Sequence, residues 1–266
     1  MSVTTARSLH CLFALVLAAT PAAADPGVHL SWDHCSADGR VANRNFACNT
    51  NGGSAVIVLS YESPLLRTDR VGAEIVLEVF ASDPVALPAW WQFKNAGSCR
   101  ASSMSVNLVA AVLPTACDYP WTTGSAAGVG AYQVGKWGPN TAHLLIAEAV
   151  PFPNTFTVGP GIETFALNVV IDHAKTVGTG ACAGCTQPVC IGVGAVTVQS
   201  ANSSDDILMD ASSGPALKTV TWQGAYVSQF AYVGGTFTGS ANLQCAASAP
   251  VAARQRTWGQ LRSLYR

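Results

Sequence analysis

The sequence predicts an all-β fold, an antiparallel β-sandwich of Ig-like or jelly-roll type with its topology left open. Three observations predict it. Short apolar runs of strand length recur along the chain, and Gly, Pro, Asn and Asp punctuate the gaps between them. Helical periodicity is confined to the last residues. Eight cysteines follow the N-terminal leader, an even set suited to bridging loops and sheets.

The elements follow in order. Residues 1–24 read as an export signal: Arg7 supplies a positive charge, Cys11 to Ala19 an apolar stretch, and Ala22-Ala23-Ala24 a small-residue cleavage site. The apolar part is too short to span a bilayer, and no later run reaches the roughly 18 apolar residues a spanning helix needs. Cys11 lies at the start of the apolar stretch, not after it, which argues against a lipid anchor. Residues 25–246 form the expected domain. Its candidate strands are Val28–Trp32, Ala55–Leu59, Ala73–Phe80, Met104–Leu113, His143–Val150, Glu163–Ile171, Val189–Gln199, Leu217–Gln223 and Tyr226–Thr238. In the third, Ile75, Leu77 and Val79 share one face and Glu74, Val76, Glu78 and Phe80 the other. In the sixth, Phe165, Leu167, Val169 and Ile171 are expected on one face. The Gly-rich stretch Thr122–Gly130 marks a potential division into two β subdomains. Residues 247–266 read as a small-residue linker and a short amphipathic helix, with Trp258, Leu261, Leu264 and Tyr265 on one stripe.

Composition excludes some function classes. Charged residues are 11% of the chain and the net charge is −1, so the chain carries no electrostatic footprint for nucleic acid. With 49% hydrophobic residues it can bury a sizeable core. The expected location is secreted, periplasmic or cell-surface.

Oxidation is the expected fate of Cys35, Cys48, Cys99, Cys117, Cys182, Cys185, Cys190 and Cys245, since exported chains meet an oxidising compartment. Proximity suggests Cys35–Cys48 and Cys99–Cys117, each stabilising by ~3 kcal/mol through loop closure. For the remaining four, Cys182–Cys185 with Cys190–Cys245 competes with Cys182–Cys190 and Cys185–Cys245. A four-thiolate zinc site at these same residues would need reduced sulfur, which export disfavours. No metal or cofactor is expected. A thioredoxin-like use of Cys182 and Cys185 lacks its βαβ context.

Other constellations compete with plain structural roles. Asp33, Asp38, Asn43, Asn45, Asn49 and Asn51 cluster as oxygen donors, yet match no calcium loop and suit turns. Trp90, Trp91, Trp121 and Trp137 are the candidate binding residues, because exposed indoles stack on sugar rings; core packing is the competing role. Glu148 and Asp172 would serve a polysaccharide hydrolase if their strands were neighbours. His29, His34, His143 and His173 are available to a nucleophilic triad, but no Gly-x-Ser-x-Gly elbow accompanies them.

Several segments carry a family resemblance. They are Trp32-Asp33-His34-Cys35, Phe46-Ala47-Cys48-Asn49-Thr50-Asn51, Leu87-Pro88-Ala89-Trp90-Trp91, Cys182-Ala183-Gly184-Cys185 through Cys190, Val220-Thr221-Trp222-Gln223-Gly224, and Thr257-Trp258-Gly259 to Arg266. Together the chain resembles a family of uncharacterised exported bacterial proteins, β-rich and disulfide-containing. The resemblance covers most of the chain after the leader and implies a shared disulfide framework and tail, with no activity or catalytic residue. The expected function is thus non-catalytic: an extracellular binding, surface or structural domain, with a glycan or cell-surface component as the partner class. A secreted hydrolase using paired carboxylates is the alternative.

Overall fold

A computed structural model describes residues 26–109, 117–210, 217–234 and 239–247. Fourteen strands carry them: β1 (Gly27–Trp32), β2 (Asn43–Arg44), β3 (Ser54–Glu62), β4 (Arg67–Ala81), β5 (Met104–Asn107), β6 (Ala126–Val134), β7 (Thr141–Ala149), β8 (Phe156–Val158), β9 (Glu163–Asp172), β10 (Val189–Ser200), β11 (Ile207–Asp210), β12 (Thr219–Trp222), β13 (Tyr226–Val233) and β14 (Ser240–Ala246). Three short 3₁₀ turns interrupt them, and no α-helix occurs among the described residues. The leader expected over 1–24 and residues 248–266 of the expected tail lie outside the described residues.

β1, β3, β9 and β5 form a four-stranded antiparallel sheet in that order. A second sheet runs β2-β12-β10-β4-β7-β6, with β11 pairing β10 and β8 pairing β4. It is antiparallel except for the two-residue parallel pairing of β2 with β12. β13 and β14 form a separate hairpin sheet. The two large sheets share one core. Ile57, Val169 and Ile171 from the first meet Leu77, Val79, Leu144 and Ile191 from the second around a void of ≈ 10 Å³. That space holds at most about one water, so the core is packing and not a ligand cavity.

Every expected strand is present at its core, though residues 110–113 and 235–238 of two of them lie outside the described residues, and five more strands were hidden from the pattern. Ala126–Val134, within and beyond the stretch that suggested a division, is an edge strand paired along its length with β7. Gly and Ala fill it because its outer positions stand at the surface and bury little. A bulge corrects the face assignment in β9. Leu59 pairs with Leu167 but Ser60 with Phe165, so Ala166 is the extra residue. One inserted residue flips every side chain beyond it. Phe165 therefore leaves the face of Leu167, Val169 and Ile171 and stacks on Tyr119, with centroids 5.8 Å apart.

The polar-leaning face of β4 is not open to water either. Val76, Phe80 and Ala195 on that face are buried with Phe230, Tyr232 and Leu243 of the hairpin in a second apolar cluster. Glycine makes the approach possible: a Cβ on Gly192 would lie 2.8 Å from the Phe230 ring, and one on Gly194 2.5 Å from the Tyr232 ring.

All eight cysteines of the domain are bridged, but three of the four expected pairings are overturned. The bridges are Cys35–Cys117, Cys48–Cys185, Cys99–Cys182 and Cys190–Cys245. Only the last agrees with expectation; the rival Cys182–Cys190 and Cys185–Cys245 are absent too. Proximity along the chain misleads because loop-closure entropy grows only logarithmically with length, while a bridge demands close Cα approach. The sheets supply that approach at separations of 82, 137 and 83 residues. Four disulfides indicate an oxidising, extracytoplasmic compartment.

Candidate binding groove

Tyr119 and Trp121 follow Cys117 directly, and the segment is held at several points. Cys117 is bonded to Cys35. The Asp118 N–H donates to Glu163 O at 2.8 Å, and Phe165 N–H donates to Asp118 O at 2.8 Å. Tyr119 O–H donates to Leu108 O at 2.6 Å, and Trp121 Nε1–H to Ala166 O at 2.7 Å. On the opposite wall, Asn168 Nδ2 donates to Val109 O at 3.0 Å, and Val109 N–H donates to Asn107 Oδ1 at 3.1 Å. Thr122 and Ser125 close a turn on each other.

Together these segments line an open groove of ≈ 470 Å³ between the edges of the two sheets. Its walls are Val106–Val109, Tyr119, Trp121, Thr122, Ser125 and the first residues of β6. No lining side chain is charged. Tyr119 is 38% exposed, while one face of its ring rests on Phe165. Such a wall offers an aromatic surface, an amide and two hydroxyls, with the ring and the amide held by hydrogen bonds before any ligand arrives, which limits the ordering cost of binding.

The tryptophans fall differently from a sugar platform. Trp90 and Trp91 are 0% and 1% exposed and surround Trp222, with centroids 5.3 and 5.6 Å away. An indole with no exposed face has no surface for a sugar. Trp121 is also buried but contributes to the groove lining. Trp137 is half-buried on the far side of the second sheet, donating from Nε1 to Glu78 Oε2 at 3.0 Å. Tyr119, Asn107, Thr122 and Ser125 were missed; the aromatic pair beside a bridged cysteine, Cys117-Asp118-Tyr119-Pro120-Trp121, was the available signal.

Glu148 and Asp172 are not brought together. Glu148 lies in the second sheet, its charge felt by Tyr61, which pairs with Thr164 at the start of β9. Asp172 pairs with Ser54 at the other end of the same strand, roughly 25 Å away at strand rise. Glu148 is buried, both its oxygens lack a partner, and burial pushes its carboxyl well above the ordinary range. The histidines are scattered as well. His29 Nδ1 lies 3.5 Å from Glu163, His143 Nδ1 2.7 Å from Glu78, and His173 stacks on Phe46. Trp137, Glu78 and His143 lie beneath the hairpin, where burial and then the charge of Glu78 push the Tyr232 phenol up to about 12.

Half of the oxygen-rich opening is absorbed by structure. Asp33 pairs with Arg44, Asn43 Oδ1 accepts from Gly224 N–H, and Asn51 Oδ1 accepts from Thr176 and Val177 N–H. Sulfur atoms of Cys35 and Cys117 lie near a Glu163 carboxylate oxygen, but they are bonded to each other and are not thiolate ligands. No helix among the described residues is long and apolar enough to cross a membrane. Comparison with protein-family models, with curated proteins and with solved structures returns no match.

Proposed function

We propose that this protein is a non-catalytic extracytoplasmic binding domain, an antiparallel β-sandwich exported by residues 1–24, whose groove beside Tyr119 holds an uncharged glycan. The observation that carries this reading is the groove wall itself. It joins a braced, partly exposed aromatic ring to Asn107, Thr122 and Ser125 without a single charged side chain. Sugar rings present apolar faces and hydroxyl edges, which suit an aromatic surface flanked by amide and hydroxyl groups. An acidic polysaccharide would need cations to offset its charge.

The test is a neutral-glycan array followed by calorimetric titration of the best oligosaccharide. Wild-type protein binds, Tyr119→Ala lowers affinity at least ~10-fold, and Thr122→Asp lowers it for neutral glycans by placing a charge in the groove. Binding unaffected by both substitutions, or release of reducing ends from the bound glycan, overturns the reading.

A further inference from the structure

We propose that the β13–β14 hairpin is a redox-latched cover: reduction of Cys190–Cys245 lifts it from the second sheet and uncovers the Glu78–His143 pair. The hairpin is built as a separate unit. Its strands pair only with each other among the described residues. It rests on the sheet through its own small apolar cluster, distinct from the main core. Gly192 and Gly194 present bare backbone to its Phe230 and Tyr232 rings, which pack there without a side chain beneath them. A two-stranded hairpin is marginal alone. The one covalent tie beyond the chain itself is Cys190–Cys245, next to the hairpin's last residue, Ala246.

As in the other three bridges, one sulfur partner of that tie is buried and the other partly exposed; what sets it apart is the marginal hairpin it holds. Cys190 is fully buried, whereas Cys245 is partly exposed and lines an open groove of ≈ 390 Å³ with Phe80, Ser82, Asn140 and Leu243. A dithiol reductant therefore attacks Cys245 Sγ. The Cys190–Cys245 bond breaks, Cys190 leaves as a thiolate and takes up a proton, and a mixed disulfide forms on Cys245. The second thiol of the reductant then attacks its own bridged sulfur and releases Cys245 as a thiol. Two electrons pass from the dithiol, which ends as a disulfide. What the hairpin uncovers is chemically distinctive. Glu78 and His143 sit directly opposite each other on β4 and β7, with Trp137 on the second Glu78 oxygen.

The experiment is a graded dithiothreitol titration of the full domain, with alkylation and mass mapping of each cysteine. Hydrogen exchange and diethyl pyrocarbonate labelling of His143 are read in parallel, and the Cys190→Ser/Cys245→Ser variant is compared under non-reducing conditions. Cys190 and Cys245 are expected to label before the other six. Amides of β13 and β14 then lose protection roughly hundredfold while β4 and β10 keep theirs, and His143 becomes reactive. Earlier labelling of another bridge overturns the proposal. So does a hairpin that stays protected once Cys190–Cys245 is open. If the double variant does not fold, the selectively reduced wild-type protein gives the same readout, and loss of protection across β4 and β10 there also overturns it.

Discussion

The guanidinium carbon of Arg100 lies 3.6 Å from the centre of the Trp90 ring. The same group donates to the carbonyls of Trp90, Ala174 and Asp172, and Arg100 is 1% exposed. Burial pulls its pKa down to about 10, against the opposing pull of Asp172. One planar cation thus ties the 3₁₀ turn at Trp90, the Cys99 loop and the end of β9. Arg100→Ala is expected to destabilise the domain by about 3 kcal/mol, since it leaves three carbonyls unpaired and a ring uncovered. Arg100→Lys recovers less than half, because an ammonium lacks the planar fork. Urea denaturation of the three proteins checks both expectations.

Two buried carboxyls tilt stability with pH in opposite directions. Glu148 has its pKa raised by burial, so its contribution is fully present below the unfolded value near 4.5 and is lost as pH rises towards the folded value. Glu163 is the reverse. Burial pushes it up, but hydrogen bonds from His29, Ser60 and the N–H groups of Ala37 and Ser36 outweigh that and hold it low. Its contribution is present above the unfolded value and is lost as pH falls through the folded one. Glu148→Gln is therefore expected to gain on wild type by up to ~1.4 kcal/mol per pH unit above 5. Glu163→Gln is expected to lose about 2 kcal/mol at pH 7 and to converge with wild type as pH falls through the lowered folded value. Denaturation midpoints between pH 3 and 8 separate the two slopes.

Gly194 tests how the hairpin is seated. A Cβ there meets the Tyr232 ring at 2.5 Å, and the backbone angle is one any residue adopts. Gly194→Val should displace β13 without unfolding the sheets. The expected readout is faster amide exchange in β13 and β14 with unchanged exchange in β4, while Cys190–Cys245 stays closed by mass. Unchanged hairpin exchange would mean that the ring finds room by rotating away.

The longest bridge should matter most among the four. Cys48–Cys185 closes a separation of 137 residues, against 55 for Cys190–Cys245. Loop-closure entropy places the cost of Cys48→Ala/Cys185→Ala near ~5 kcal/mol, about 1 kcal/mol beyond that of the shorter bridge. Thermal unfolding of both double variants, with a non-reducing peptide map to confirm the remaining bridges, makes the comparison.

Much of the strand pattern was legible in the residues. Ala55–Leu59 and Ile75, Leu77 and Val79 declare strands because alternation is a local property of a pleated backbone. β6 escaped because its Gly and Ala side chains bury little and leave no periodic signal. Phe165 departs from the face that alternation predicts because a bulge depends on the partner strand, here the step from Leu59 to Ser60. For the groove, Trp121 was legible as an aromatic candidate. Tyr119 was legible only as an aromatic beside a cysteine, since its braced place in the groove depends on tertiary contacts with Phe165 and Leu108.

By itself the sequence determined that this chain is β-rich, that its cysteines are oxidised and that its surface carries little charge. Those properties follow from composition and from spacing within a few residues. Only the tertiary structure decided which cysteine meets which, that Trp90 and Trp91 face inward, and that a hairpin covers the outer face of β4. Each of these depends on the order in which distant strands line up, and strand order is set by packing across the whole domain.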